Sequence, residues 1–286
     1  MKRFPILGIL FLIPAIALLA LAGCQNQKDK TTNPTTSPDP TKAVAKTKIT
    51  APTDGKITGI VKLKGDKPDM SVNPDIAKHL EKGICEAGGS ISTQNQEWII
   101  GKGDGVANVV IWLEPAADKD FDIKEEHKSP FKKPVVIDQP FCQYVPHVVA
   151  VYTEENGFQK LIIKNSSKTL HNVKIDPPKN NPPAGPNMPK GSAPIEYTFK
   201  MEAVGQPIKL GCSVHTWMSG KVLTFDHPYF AVTDKDGKFE ILNVPTGVEL
   251  TVRMWHEEKK TFQDKANASL KFKKGDNDLP LEITVR

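Results

Sequence analysis

Cysteine is scarce in this chain, with 4 in 286 residues. That is too few for a disulfide-framework mini-fold, and the length suffices to bury a core without such staples. Charge of one sign is also in short supply. Lys plus Arg number 38 against 33 for Asp plus Glu, a formal net charge of +5. An excess so small and so spread gives no basis for a nucleic-acid partner. Helical periodicity is weak throughout, its best short stretch being Pro74–Lys82, which turns the reading away from helical bundles. No sustained internal repeat runs through the chain. At about 100–200 residues per domain, one or two domains are expected.

One long apolar run is present, and it comes first. Met1-Lys2-Arg3 is a basic start, Phe4 to Leu21 is almost wholly apolar, and Leu21-Ala22-Gly23-Cys24 closes the run with small residues before a cysteine. This is the order of a secretory signal peptide over residues 1–23. Its end resembles a bacterial lipobox, which makes Cys24 the lipidated first residue of the mature protein. An uncleaved membrane helix is the alternative, and Pro5 and Pro14 weigh against it. Gln25 in place of aspartate is similar to the sorting signal for the outer membrane, the outer leaflet of the inner membrane being the other destination. Residues 24–55, rich in Thr, Pro and Lys, carry too few large apolar groups to offset chain entropy and read as a flexible tether. Removing the signal takes the charge to +3, and the tether holds five lysines and three acids, which leaves about +1 on residues 56–286.

The body reads as strands. Val248, Leu250, Val252 and Met254 alternate with Glu249, Thr251 and Arg253 at period 2, the mark of a half-buried strand. Ile57, Val61 and Leu63 share one face of another strand, and Ala107–Leu113 is a β-branched run. Further strands are expected near 147–152, 159–165, 171–176, 195–201, 206–211 and 220–226, with Gly, Pro, Asn and Asp between them. The fold class is all-β, in β-sandwiches. The stretch 176–194 holds seven of the 24 prolines and reads as an ordered functional loop or a flap.

The chemistry concentrates at Cys212-Ser-Val-His215-Thr-Trp-Met218, on a short loop between two strand-like stretches, and at His171, which ends a strand about 40 residues earlier. Two imidazoles and a thiolate with a weak axial thioether form the ligand set of a blue-copper site. Zinc also suits Cys and His, but a d10 ion gains little from the methionine.

This pattern resembles the cupredoxin family over roughly residues 134–228. The likeness lies in Tyr144-Val145-Pro146, the Asn165 to His171-Asn172 segment, and Cys212-x2-His215-x2-Met218, whose short spacing is similar to that of amicyanin-type proteins. The resemblance implies a Greek-key sandwich with one type 1 copper. His171, Cys212 and His215 are then equatorial ligands and Met218 the axial one. The Asn172 N–H donates to the thiolate sulfur, and its side chain braces the loop near Ser213. It also implies a His215 ring edge near the surface, with Trp217 and loop residues such as Met188 around it as the dock for a redox partner such as a cytochrome or dehydrogenase. A closed four-ligand set leaves no position for substrate. No second three-histidine cluster is apparent, so an electron carrier is expected rather than an enzyme. A copper-delivery lipoprotein and a purely structural surface sandwich are the alternatives.

Residues 229–286 resemble the carboxypeptidase regulatory-like (transthyretin-like) sandwich, through Phe230–Ile241, Val244-Pro-Thr-Gly247 and the Val248–Met254 strand, and residues 56–133 resemble its opening strands. The likeness implies that the copper domain, 134–228, is inserted into that sandwich. Asp234-x-Asp236-Gly237 lacks the sixth-position glycine and twelfth-position glutamate of a calcium loop and reads as an Asp-Gly hairpin turn. Trp255-His256-Glu257 reads as a packed strand end with a polar tip; His79, His127 and His227 read as surface or structural. Cys85 and Cys142 most simply pair, closing a loop of 57 residues; the rival is that Cys142 and His147 belong to a second metal site.

Overall fold

The computed structural model describes residues 45–154, 157–177, 179–203, 206–258 and 268–285. The signal peptide, the lipidation site Cys24 and the tether up to residue 44 lie outside them. Among the described residues, no helix is long and apolar enough to cross a membrane.

The period-2 stretches form strands because one face of each can be buried. In Glu249–Trp255 the side chains of Leu250, Val252 and Met254 are buried, while Thr251 and Arg253 are half-exposed. This strand pairs antiparallel with Val110–Glu114, which also pairs with Phe230–Val232. Gly55–Lys64 lies in a different sheet, antiparallel to Lys238–Val244 and parallel to Gly275–Asp278 and Leu281–Thr284. The two sheets close on one core that includes Ile57, Val61, Ile111, Leu113, Phe239 and Val252. Each such side chain contributes about 1.5–3 kcal/mol on burial.

A second core is built between 135 and 225. One sheet runs in the order Lys174–Asp176, Ile208–Gly211, Ser219–Phe225, Val148–Tyr152; the other runs Ile195–Thr198, Lys160–Lys164, Val135–Phe141, Gln143–Val145. Ser219–Phe225 is parallel to Val148–Tyr152, and Val135–Phe141 is parallel to Lys160–Lys164. Those parallel neighbours need long crossing connections, as in Greek-key sandwiches. Ile137, Tyr144, Val149, Val151, Leu161, Ile163 and Val222 fill the space between the sheets. A third cluster joins the two cores: Val110, Trp112 and Trp255 pack with Val148, Ala150, Leu223 and Phe225.

Several expectations change. The last residues of the expected tether are structured. Thr47–Lys48 pairs parallel with Lys119–Asp120, and Ile49 packs on the first core, so strand pairing and one apolar side chain anchor this stretch. The Asp234–Gly237 turn is present, with the Gly237 N–H donating to Asp234 O at 3.0 Å and φ +77° at Gly237. It is not a hairpin, because the strands on either side pair into different sheets. His171 opens a strand rather than ending one: Lys160–Lys164 stops, a turn follows, and His171–Asn172 pairs with Asn187–Met188. The proline-rich 176–194 stretch is thereby tied to the site. The 74–82 helix breaks in two, as Pro74–Lys78 and Lys82–Cys85. Asn73 caps the first by accepting from the Asp75 N–H at 2.9 Å. At the break, His79 Nδ1 accepts the Glu81 N–H at 3.2 Å, a side-chain bond that competes with the helix.

His127 and His227 are structural, both being buried. The His227 ring packs against Phe121 at 4.9 Å and Phe225 at 5.8 Å. Burial holds its pKa well below the ordinary value, against the opposing charges of Asp226 and Glu114. The folded state therefore keeps this ring neutral, while an unfolded chain protonates it below about pH 6.5. The unfolded chain binds more protons there, so stability falls as pH drops. Between pH 7 and 5 the loss at this ring is expected to be on the order of 2 kcal/mol. Urea midpoints of the wild type and of His227→Leu check this. The variant's pH dependence should be flatter, and equal slopes would refute the assignment.

Candidate metal centre

Two segments carry the ligand candidates, and pairing in one sheet brings the loop together. Ile208–Gly211 and Ser219–Phe225 are antiparallel with Gly211 opposite Ser219, so residues 212–218 close a tight loop between them. Within it the Met218 N–H donates to His215 O at 2.9 Å. His171 arrives from the Asn165 turn. Asn165 Nδ2 donates to Thr169 O at 2.8 Å and Met188 O at 2.7 Å, and Oδ1 accepts from the Ser167 N–H at 3.0 Å.

The structure brings His171, Cys212 and His215 together. All three are buried, and their ligating atoms lie within 4.8 Å of one another. The His171 and His215 rings stand 4.9 Å apart, and Cys212 Sγ is 3.9 Å from His215 Nδ1. Met218 is buried on the same loop and belongs to the same core as Cys212. The Asn172 N–H donates to Cys212 Sγ at 3.4 Å and the His215 N–H does so at 3.5 Å. Ser213 Oγ donates to Asn172 Oδ1 at 3.2 Å, and Asn172 Nδ2 donates to Gly185 O at 2.6 Å.

The donor set fits copper. A sulfur receiving two main-chain N–H groups is arranged for negative charge. His171 is 0 % exposed and neither ring nitrogen has a hydrogen-bond partner among the described residues. Burial, with the His215 ring adding to it, pushes the His171 pKa down to about 4; the Phe141 carbonyl pulls the other way without completing a bond of normal geometry. The result is a neutral imidazole, the form that ligates.

The surroundings differ from expectation at two points. First, His215 is not near the surface: it is 0 % exposed. The broken helix segment lies over it. His215 Nε2 is 3.1 Å from Glu81 Oε2, and the His79 ring stands 4.8 Å from the His215 ring and 5.2 Å from Trp217. Burial lowers the pKa of His215, and Glu81 opposes that; the Glu81 carboxyl is held low first by the Thr169 hydroxyl, then by His215, against burial. Second, Met188 is 0 % exposed with its backbone paired to His171, so it belongs to the interior and not to a dock. The expected pairing of Cys85 with Cys142 is present, their Cα atoms 4.8 Å apart, and it removes the rival second metal site with His147. His147 instead bonds Ser219 O at 3.0 Å and Glu257 Oε2 at 2.6 Å. Burial would raise the Glu257 carboxyl, but His147 and Lys221 outweigh it and hold it at about 2. A further cluster of His79, Cys85 and His215 is closed to metal by the same disulfide.

Two side chains at the candidate site were not foreseen. Tyr144 is buried, and its hydroxyl lies 2.7 Å from Gly211 O and 3.3 Å from Asn172 O, clamping the two ligand-bearing segments together. Burial, with the nearby Cys212 adding to it, pushes its pKa far up, so the hydroxyl keeps its proton. Glu81 is the other. It lies 134 residues from His215 in the chain, in a stretch with no strand pattern, which the pairing of Cys85 with Cys142 helps hold near the site.

No family model matches the chain, and no curated protein does. Among solved structures, a copper-containing nitrite reductase from Thermus scotoductus SA-01 is similar at 17% identity and TM-score 0.28, over 32% of this chain and 22% of the reductase. The chain thus spans about a fifth of that protein. A purple cupredoxin from Nitrosopumilus maritimus is similar at 19% identity and TM-score 0.26, over 32% of this chain and 99% of its own. The reduced state of an amicyanin mutant is similar at 18% identity and TM-score 0.27, over 40% of this chain and 99% of its own.

Proposed function

We propose that this chain is a membrane-anchored type 1 copper protein that carries single electrons between periplasmic or cell-surface redox partners. His171, Cys212 and His215 would hold the metal, with Met218 as the weak axial sulfur. The observation that carries the reading is the buried His171 imidazole, whose ring nitrogens have no hydrogen-bond partner among the described residues and lie beside a thiol and a second imidazole. Leaving such a group unsatisfied costs free energy, and a metal ion satisfies it. Bound copper supplies a one-electron couple. The chain's own residues hold the ligands in place: Tyr144 ties the two ligand segments, Asn172 braces Ser213, and the enclosing side chains exclude water. The buried ligand set favours electron carriage over copper delivery, which needs a ligand that can reach a receiving protein.

The other parts serve placement. Residues 1–23 would be the signal, Cys24 the lipid-bearing residue, and the tether would hold the body off the outer membrane. The shared core of strands from both flanks supports an insertion of the copper region, 134–228, into a carboxypeptidase regulatory-like sandwich, 56–133 with 229–286. Exposed apolar side chains flank the site residues: Leu80 is 101% exposed beside Glu81, Leu170 39% beside His171 and Val214 37% beside His215. These replace Met188 as the dock for a cytochrome or dehydrogenase.

Titrating the metal-free protein with Cu(II), with visible absorption and EPR, tests the site. One equivalent is expected to give an intense thiolate-to-copper band that bleaches reversibly on one-electron reduction. A colourless adduct would sink the electron-carrier reading.

A further inference from the structure

The residue that covers His215 is a carboxylate on a pinned segment. Cys85, four residues beyond Glu81, is tied to Cys142, and the two cysteines cluster with Ile76, with the partly buried Trp217 packed against them. Glu81 spans both ligand-bearing stretches. Its Oε2 meets His215 Nε2 at 3.1 Å, and its Oε1 accepts the Thr169 hydroxyl, two residues before His171. The His215 ring has its other nitrogen, Nδ1, on the side of Cys212 Sγ. A carboxylate acceptor at Nε2 requires the proton to sit there, which leaves Nδ1 bare toward the sulfur.

We propose that Glu81 is a positioning residue: it fixes the His215 tautomer and ring orientation that present Nδ1 to the metal, and its charge biases the centre toward oxidised copper. This rests on the copper reading given above. The physical basis is that a ligating imidazole donating its second N–H to a carboxylate becomes a stronger donor. A negative charge in an enclosed site also favours Cu(II) over Cu(I), since the attraction scales with metal charge and is weakly screened there. The rival is that Glu81 only fastens the cover segment to Thr169 and the ligand loop.

Two variants and two measurements separate these. Glu81→Gln keeps size and a hydrogen-bond acceptor but loses the charge; Glu81→Ala loses both. In the copper-loaded full chain, voltammetry of Glu81→Gln is expected to give a higher reduction potential with the visible band retained. An unchanged potential with copper bound would overturn the electrostatic half. In the metal-free protein, ring-nitrogen NMR is expected to show His215 protonated at Nε2 alone, and a mixture of tautomers in Glu81→Ala. A single unchanged tautomer in that variant would overturn the positioning half. The second measurement needs no metal, so it decides the role of Glu81 even if wild-type protein binds no copper. If Glu81→Ala fails to fold, the wild-type tautomer and the Glu81→Gln potential still decide.

Discussion

Replacing Cys212 with alanine is expected to abolish the visible charge-transfer band and to weaken Cu(II) binding by more than ~100-fold. Loss of an outer partner of a metal ligand typically costs 10–100-fold in affinity, and loss of the anionic ligand itself exceeds that. The mutation also empties a position that receives the N–H groups of Asn172 and His215 at 3.4 and 3.5 Å. Those two donors then have no acceptor in the interior, which raises the cost of the metal-free state as well. Chelator competition gives the affinity and absorption gives the band. Cys212→Ser separates the two effects, because a hydroxyl can still accept hydrogen bonds while being a poor copper donor. It should recover stability without recovering the band. A Cys212→Ala protein that keeps the band would show that the colour, and with it the copper site, lies elsewhere.

Removing the disulfide, as Cys85→Ser with Cys142→Ser, is expected to cost about 3–5 kcal/mol. The bridge closes a loop of 57 residues, and without it the unfolded chain regains that freedom. Both cysteines are fully buried beside Ile76 and Trp217, so two hydroxyls also enter an apolar cluster. For a chain of this size about 1 kcal/mol moves the melting temperature by 2–4 °C, so a fall of about 10 °C is expected. The loss should not be uniform. Residues 73–95 are short helical turns with few strand contacts, and the bridge is their covalent tie to the body. Hydrogen exchange should rise there first, with the amides of Ile208–Gly211 and Ser219–Phe225 remaining protected. Equal protection of residues 73–95 in the variant would mean that Glu81 and the apolar contacts hold the segment without the bridge.

The strands were legible because a buried face writes itself as period 2, and Val248–Met254 and Ile57–Leu63 carry that pattern plainly. The ligand loop was legible because the chemistry of a Cys, His and Met set is local in sequence. The sulfur donor at Asn172 and the Ser213 brace came from the resemblance to cupredoxins, whose pattern those positions match, and not from the spacing itself. What was illegible was everything supplied from a distance. Glu81 sits in a stretch whose hydrophobic spacing suggests a plain short helix, and the His79 side-chain bond to the Glu81 N–H at the break is not announced by that spacing. Met188 looked like a surface residue of a proline-rich loop because nothing in that loop announces its two-residue pairing with His171 and Asn172. The Asp234–Gly237 turn kept its chemistry but joined two sheets, since strand partners depend on which neighbour completes a core and not on the turn alone.

The apolar cluster of Val110, Trp112, Val148, Ala150, Leu223, Phe225 and Trp255 has a bearing on cooperativity. It joins strands of the two cores through large side chains: Trp112 is 1% exposed and Phe225 is also 1% exposed. Opening either sandwich strips cover from the other, so the pair should melt in a single transition rather than two. The ligand loop closes between Gly211 and Ser219, at the head of the strand that supplies Leu223 and Phe225 to this seam. The lifetime of the closed site is thus underwritten by residues of the Val110–Glu114 and Glu249–Trp255 strands, which belong to the other sandwich.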